Sequence, residues 1–203
     1  MHILFVCTGN ICRSPTGERL TRAFAAAYLP DPSQLTAASV GTRAVVDHPM
    51  ERNAERVLAG LGGDGQCFAA RQIDRPDVEG ADIVLTMTRD HRRVVLNATP
   101  RALPRTFTVR EACSLLSLID TAALPTPSEL TLRGRALVAQ MARQRALRPA
   151  VIDDSDDIPD PIGRDPETFL RIGDDIAAAL IPWLTVCCGV AEPHRQLRVA
   201  QPA

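Results

Sequence analysis

Two periods of hydrophobic positions alternate along the chain, one typical of buried strands and the other of amphipathic helices. Continuous apolar or β-branched runs predict four strands, at residues 2–6, 36–39, 83–87 and 106–108. Apolar residues at helical spacing predict helices that follow them, at residues 14–28, 50–61, 90–97, 110–119 and 167–184. Strands and helices in alternation are typical of a parallel sheet with helices on both faces. The pattern therefore predicts an open α/β sandwich.

Two segments fall outside this alternation. Residues 120–150 join a proline-rich stretch at 124–127 to an arginine-rich helical pattern, which is typical of an extra helix that packs on the core. The last residues are polar, contain proline and show no periodicity. We therefore predict one domain over residues 1–186, with a helical insertion at about 101–150, and a flexible tail at 187–203.

Charge and hydropathy exclude several functions. The 203 residues carry 23 basic and 24 acidic side chains, a net charge of -1, which gives no basic field for nucleic acid or an anionic membrane. No apolar run approaches the roughly 18 residues that a membrane span needs. The first apolar run lacks the basic leader and cleavage site of a secretory signal. We therefore expect a cytoplasmic protein whose six cysteines are reduced.

The segment between the first strand and the first helix carries the candidate chemistry. It reads Cys-Thr-Gly-Asn-Ile-Cys-Arg-Ser-Pro from Cys7 to Pro15, at the strand end where open α/β sheets bind ligands. Backbone N–H groups of such an arc point inward and, with the helix dipole, bind a tetrahedral dianion. Arg13 can add a bidentate contact, and the same positive field favours the nucleophilic thiolate of Cys7. We expect inorganic phosphate or sulfate to bind in this loop.

The residue types inside the loop distinguish it from a chance pairing of cysteine with arginine. Glycine suits a tight turn, asparagine suits a left-handed or side-chain-braced position, and Pro15 suits the first turn of a helix. The candidate phosphate-binding residues are Thr8, Gly9, Asn10, Ile11, Cys12 and Ser14.

At these residues the chain strongly resembles the low molecular weight protein tyrosine phosphatase family. The resemblance continues through Ser-Val-Gly-Thr at 39–42, Phe-Ala-Ala-Arg-Gln at 68–72, the apolar run at 81–87 with His91, and Asp-Ile-Pro-Asp-Pro at 157–161. It implies a four-stranded parallel sheet in the order 2-1-3-4, flanked by helices as a three-layer sandwich. It also implies hydrolysis of phosphate monoesters without a metal or cofactor.

Carried over by position, the resemblance implies three catalytic roles. Cys7 resembles the nucleophile that forms a phosphocysteine, Arg13 the phosphate clamp, and Asp160 the acid of an Asp-Pro loop. Composition alone does not choose the acid, because the acidic run at 153–157 is typical of a solvated loop. The prolines on either side of Asp160 restrict the backbone and favour it over Asp157.

The resemblance also implies supporting roles within the loop. Ser14 would donate to the Cys7 thiolate, and Asn10 with Ser39 would brace the loop. Cys12 matches a second loop cysteine that can pair with the nucleophile upon oxidation. The residue itself allows another interpretation, in which Cys12 is a buried small side chain under the loop.

The expected substrate pocket departs from the family's pattern. Many members carry aromatic residues after the Asp-Pro pair, where this chain has Ile162 and Gly163. The remaining wall of a phosphotyrosine pocket can come from Ile11, from residues 45–49 or from the 101–150 insertion. The arginine-phosphatase branch typically has Thr at the position of Ile11. We therefore expect a phosphotyrosine-containing protein or a small aryl phosphate as substrate, rather than phosphoarginine.

Three alternatives come from other classes. Thioredoxin-coupled arsenate reductases share the fold and loop, but their relay needs two further cysteines close together, whereas Cys67 and Cys113 lie 46 residues apart and Cys187 and Cys188 lie near the end. A phosphate-binding regulatory module without turnover has no need for a nucleophile, a clamp and an acid together. A zinc site lacks a Cys-x2-Cys pair and matching histidine spacing.

Overall fold

Four parallel strands form the sheet in the computed structural model of the protein, which describes residues 1–147 and 155–190. The strands are β1 His2–Cys7, β2 Thr36–Gly41, β3 Ile83–Thr86 and β4 Thr106–Thr108. Their order is β2-β1-β3-β4, and Leu4 of β1 pairs with Ala38 on one side and with Val84 on the other. This confirms the predicted parallel sheet and the strand order 2-1-3-4.

Seven α-helices accompany the sheet in the described ranges, and every predicted helix is among them. They are α1 Arg13–Tyr28, α2 Arg52–Gly60, α3 Arg75–Gly80, α4 Arg89–Ala98, α5 Val109–Leu115, α6 Leu130–Leu147 and α7 Pro166–Cys188. The hydrophobic pattern does not predict α3, because six residues are too few to show a helical period. A capping box between Asp74 and Asp77 begins it. Within the described residues, no helix is long and apolar enough to cross a membrane.

The sheet lies between two layers of helices because alternate side chains of β1 point to opposite faces. Ile3 and Phe5 belong to the larger apolar core, which includes residues of α1, α5 and α7. Leu4 belongs to a smaller core with Val78 of α3 and Val95 of α4. The arrangement confirms the three-layer sandwich.

The 101–150 segment is not a single insertion. Its first part supplies β4 and α5, which belong to the sheet and the core, and its last helix α6 packs against α7. Arg135 of α6 is ion-paired at 2.8 Å with Asp82, just before β3, and Gly134 packs closely on Met1, just before β1. These contacts place this part of α6 at the amino-terminal edge of the sheet, opposite to the edge where ligands are expected.

Helix α7 runs four residues past its predicted end and stops at Cys188, where Gly189 takes a left-handed backbone with φ of 63°. Cys187 and Cys188 are buried in the core. The predicted tail boundary at 187 is therefore too early, and we propose that the domain extends through Cys188. The rest of the predicted tail, 191–203, and the segment 148–154 lie outside the described residues.

Candidate active site

The loop between β1 and α1 is curved so that its amides face inward. N–H groups of residues 42–51 donate to loop carbonyls at 2.8 to 2.9 Å: Thr42 to Cys7, Arg43 to Thr8, Val45 to Gly9 and Glu51 to Ile11. C=O and N–H of a trans peptide point in opposite directions, so these outward carbonyls turn the following N–H groups to the inner side. Asn10 has the left-handed backbone, φ of 56°, that its residue type predicts. The result is a nest of donors suited to a tetrahedral anion.

The sulfur of Cys7 lies on the inner side of this nest, where polar groups hold it. Cys7 Sγ is 2.9 Å from Ser14 Oγ, and the Asn10 backbone N–H donates to the sulfur at 3.3 Å. Asn10 Nδ2 donates to Ser14 Oγ and to Ser39 Oγ, both at 2.9 Å, and its Oδ1 accepts from the Arg71 backbone at 2.7 Å. The two predicted braces, Asn10 and Ser39, therefore contact each other and tie the loop to β2.

A buried carboxylate that the sequence analysis did not single out continues this network. Glu18 of α1 accepts from Ser39 Oγ at 2.6 Å. A carboxylate can only accept hydrogen bonds, so Ser39 Oγ donates to Glu18. Ser39 Oγ in turn accepts from Asn10 Nδ2, whose second N–H donates to Ser14 Oγ. Ser14 is then left to donate its own proton, and the sulfur of Cys7 is its nearest acceptor. The network directs Ser14 to stabilise negative charge on sulfur.

Arg13 begins α1 and is buried, with 3% of its surface exposed. Its Nη1 donates to the Ile158 carbonyl at 3.0 Å, and its Nη2 contacts Thr8 Oγ1 at 3.5 Å and is ion-paired with Asp160. Its Nε is buried and has no hydrogen-bond partner within the two described ranges. A buried donor without a partner is costly. We therefore interpret Arg13 Nε as a donor kept for an anion in the loop.

The two candidate acids are held differently. The Asp160 side chain is 44% exposed and is ion-paired with the guanidinium of Arg13. Asp157 Oδ1 instead accepts the backbone N–H of Arg89, at the start of α4, at 2.8 Å. The Ile158 N–H donates to the Met87 carbonyl at 2.8 Å. Asp157 thus anchors its own segment to the β3–α4 connection, while Asp160 faces the loop between β1 and α1.

A cleft of about 320 Å³ opens over the loop and contains both Cys7 and Asp160. Its apolar walls come from Ile11, Val45 and Ile162, and Arg43 adds a positive charge. Residues 101–147 do not line it, so the described part of the predicted insertion forms no wall of this cleft. Ile11 and the 45–49 segment, two of the three predicted sources, do contribute.

The second loop cysteine lines the same cleft. Cys12 is 4% exposed and, like Cys7, is a free thiol in the structure. Burial first, and then the charge of Cys7, raise the pKa of Cys12 above its ordinary value. Cys12 is therefore a protonated thiol at neutral pH and does not compete as a nucleophile. Its role as an oxidation partner of Cys7 stays a prediction.

The other cysteines are distributed over several elements. Cys67 is exposed before β3, Cys113 is half-buried on α5, and Cys187 and Cys188 are buried at the end of α7. Over the described ranges, no group of three or more His, Cys, Asp and Glu side chains is placed to hold a metal ion.

The fold and the anion loop define the class of this protein, which belongs to the low molecular weight phosphotyrosine protein phosphatase family; the family's model matches residues 2–124. Among its relatives, the low molecular weight protein-tyrosine-phosphatase Etp of Escherichia coli strain K12 is 36% identical over 105 residues. That match covers 52% of this chain and 66% of Etp. The chain therefore spans about two thirds of the length of the curated relatives it matches.

Solved structures extend the likeness in fold over most of the chain. The tyrosine phosphatase Wzb from Escherichia coli K30, in complex with phosphate, is 26% identical with a TM-score of 0.59, and the match covers 90% of this chain and 95% of Wzb. The YwlE arginine phosphatase from Geobacillus stearothermophilus is 23% identical with a TM-score of 0.64, covering 90% of each chain. The fold is thus shared by phosphatases named for two different phosphorylated residues.

Proposed function

We propose that the protein hydrolyses aryl phosphates, in particular phosphotyrosine in proteins, through a phosphocysteine intermediate. The observation that carries the proposal is one cleft that brings together the Cys7 sulfur, the buried Arg13 with its unpartnered Nε, and the Asp160 carboxyl. Etp is named a protein-tyrosine-phosphatase, and Wzb holds phosphate in a shared fold, which agrees with a phosphate site in the loop.

The first half of the proposed reaction forms a sulfur–phosphorus bond. The Cys7 thiolate attacks phosphorus, the bond from phosphorus to the phenol oxygen breaks, and its electron pair stays on that oxygen. Protonated Asp160 supplies the proton that makes neutral phenol. The loop amides and Arg13 donate to the three other phosphoryl oxygens, where negative charge is spread in the transition state.

The second half restores the enzyme. Water attacks the phosphocysteine, and the Asp160 carboxylate takes the proton that water loses. The sulfur–phosphorus bond breaks, its electrons return to Cys7 as thiolate, and phosphate is released. Substrate phosphate also competes with Asp160 for Arg13, so binding would release the carboxyl from its ion pair and leave it at the leaving oxygen. These steps use only side chains and amides of this chain.

The walls of the cleft favour an aromatic substrate. Ile11, Val45 and Ile162 offer aliphatic surface on which a phenyl ring can be buried, and Val45 and Ile162 are 41% and 49% exposed without it. Burial of that surface by a ring is favourable. A phosphoserine side chain is too short to cover it. The arginine-phosphatase branch typically has the hydroxyl of Thr at the position of Ile11. A phosphoarginine substrate would meet a hydrocarbon side chain there instead.

The test is a comparison of kcat/KM for p-nitrophenyl phosphate, a phosphotyrosine peptide, phosphoserine and phosphoarginine, with arsenate plus thioredoxin as a reductase assay. We expect both aryl esters to be hydrolysed and to exceed the other two. Cys7→Ser should abolish turnover while it still binds phosphate, because the amides and Arg13 remain. The matched control is Cys67→Ser, an exposed thiol outside the cleft, which should keep the wild-type rate.

Each rival function gives a different outcome. Faster hydrolysis of phosphoarginine would identify phosphoarginine as the substrate in place of aryl phosphates. Reduction of arsenate would identify a reductase in place of a hydrolase. Phosphate binding without any turnover would identify a regulatory module. A thiol relay needs neighbouring thiols within reach of Cys7. The adjacent pair Cys187 and Cys188 is buried at the end of α7 and does not line the cleft, which favours hydrolysis.

A further inference from the structure

A buried histidine lies next to the loop but belongs to none of the proposed catalytic steps. His91 is in the first turn of α4, at the carboxyl edge of the sheet, and is 6% exposed. Each ring nitrogen faces a threonine hydroxyl: Nε2 is 2.9 Å from Thr8 Oγ1, and Nδ1 is 2.8 Å from Thr88 Oγ1. A single ring therefore connects the phosphate loop to the cap of α4.

The charge on Arg13 sets a direction for these hydrogen bonds. Arg13 only donates, so Thr8 Oγ1, at 3.5 Å from its Nη2, accepts. If the Thr8 hydroxyl donates a hydrogen bond to His91 Nε2, it acts both as a donor and as an acceptor. A hydroxyl that accepts from a cation becomes the stronger donor, which favours this direction over a bond from Nε2 to Thr8. The favoured direction requires a neutral ring with its proton on Nδ1. That nitrogen then donates to Thr88 Oγ1, which also accepts the His91 backbone N–H at 3.2 Å.

The surroundings of the ring favour its neutral form. Burial first, and then the positive charge of Arg13, lower the pKa of His91 to about 4, although the carboxylates of Asp160, Asp90 and Asp157 act in the opposite sense. At neutral pH the ring is therefore uncharged and can accept at Nε2.

We propose that neutral His91 is a positioning residue, which accepts a hydrogen bond from the Thr8 hydroxyl. This bond turns the Thr8 oxygen toward Arg13, where it holds the guanidinium with Nε directed to phosphate. The proposal rests on the proposed function. Arg13 is then held from two sides, by the Ile158 carbonyl on Nη1 and by Thr8 on Nη2. Without His91, the Thr8 hydroxyl can rotate and one of these two restraints is lost.

Kinetics of paired variants test this relay. His91→Leu removes the acceptor, and Thr8→Val removes the hydroxyl while it keeps the shape of the side chain. We expect each to lower kcat/KM for p-nitrophenyl phosphate about 10-fold, since one hydrogen bond to a charged group is lost. The double variant should lose about 10-fold rather than 100-fold, because both changes break the same relay. Thr8→Ser should recover most of the Thr8→Val loss.

Two further measurements separate positioning from support of the fold. The phosphate inhibition constant should rise with the loss in kcat/KM, because Arg13 holds the ground state and the transition state alike. Nitrogen-15 NMR of the histidine ring should show the proton on Nδ1 at neutral pH. His2→Gln, at the far end of β1, is the matched control and should change neither quantity.

Additive losses in the double variant, or a proton on Nε2, would overturn the relay. A wild-type protein without aryl phosphatase activity would instead overturn the proposed function. In that case phosphate affinity and the ring tautomer would still decide whether His91 positions Arg13.

Discussion

Two arginines, the buried Arg13 and the partly buried Arg145, use their guanidinium groups in different ways. Arg145 of α6 donates from all three nitrogens to protein acceptors: Nε to Glu111 at 2.8 Å, Nη1 to the Leu103 carbonyl at 3.1 Å, and Nη2 to the Thr106 carbonyl at 2.6 Å. It also stacks 3.8 Å above the Phe107 ring. Arg13 has protein partners for Nη1 and Nη2 and none for Nε within the described ranges.

The difference shows how burial of a charge can serve either the fold or a ligand. Glu111, which is 4% exposed, and the carbonyls of the β4 edge compensate Arg145 fully, so it fastens α6 to the sheet. The compensation of Arg13 is partial and exchangeable, because the Asp160 carboxylate on the other side of the pair is 44% exposed. An anion can replace that carboxylate and also satisfy Nε. Other arginines also carry a buried Nε without a hydrogen-bond partner among the described residues, so what suits Arg13 to bind an anion is this exchangeable pairing together with its place in the cleft beside Cys7.

The largest expected effect separates the two arginines. Arg13→Ala should lower kcat for p-nitrophenyl phosphate by about 10³-fold or more, the scale of an arginine that stabilises phosphoryl transfer. It should also weaken phosphate inhibition. Arg145→Met should leave the kinetics near wild type and lower the free energy of unfolding by about 2 kcal/mol, because Glu111 loses a charged hydrogen-bond partner and keeps Arg92.

Urea unfolding and steady-state kinetics on both variants measure the contrast. Met keeps the aliphatic part of the side chain but loses the guanidinium that stacks on Phe107, so the stability change reports the charged hydrogen bonds and this stacking together. Equal kinetic losses in the two variants would contradict the assignment of one arginine to the ligand and the other to the fold.

The next largest effect is expected for Asp160, the carboxyl that substrate phosphate would release from its ion pair with Arg13. Asp160→Asn should slow turnover by roughly 10²- to 10⁴-fold, the usual contribution of one general acid, with little loss of phosphate affinity. The loss should shrink as the leaving phenol becomes more acidic, because a stable phenolate leaves without a proton. The basic limb of the pH-rate profile should flatten as well.

Asp157→Asn is the matched control for this acid. Its carboxylate accepts the Arg89 backbone N–H, so we expect a small loss of stability and a smaller kinetic effect than in Asp160→Asn. A larger defect from Asp157→Asn, or equal Asp160→Asn losses for phenyl and nitrophenyl phosphate, would move the acid role away from Asp160.

The sequence predicts the strands, the longer helices and the loop at Cys7, since each depends on local periodicity or on neighbouring residues. It does not predict what depends on distant contacts. Glu18 and His91 act across the loop only after β2 and β3 pair with β1, at separations of 21 residues from Ser39 and 83 from Thr8. Glu18 carries a weak signal, a charge four residues after Ser14 on the same helix face.

The boundaries of the insertion illustrate the same limit. The strand at 106–108 is predicted as an element, yet the predicted insertion at about 101–150 includes it, although β4 completes the sheet. The end of α7 is missed because Cys187 and Cys188 become core residues only through contacts made by the folded chain. Burial of this kind is a property of packing, which periodicity over a few residues does not report.

The last expected effect, on stability and not on rate, is the pH dependence that His91 introduces. The pKa of His91 is about 4 in the folded protein and near its ordinary 6.5 in the unfolded chain, so between these values the unfolded chain binds one more proton. The free energy of unfolding should therefore fall as pH falls from 6.5 toward 4, by at most about 3 kcal/mol from this ring. Urea unfolding at pH 7.5 and pH 5 measures the loss, and His91→Gln should reduce it, while His48→Gln, an exposed histidine, should leave it unchanged. An equal pH dependence in wild type and His91→Gln would show that the ring is not held neutral next to Arg13, and would remove the electrostatic basis for its hydrogen bond to Thr8.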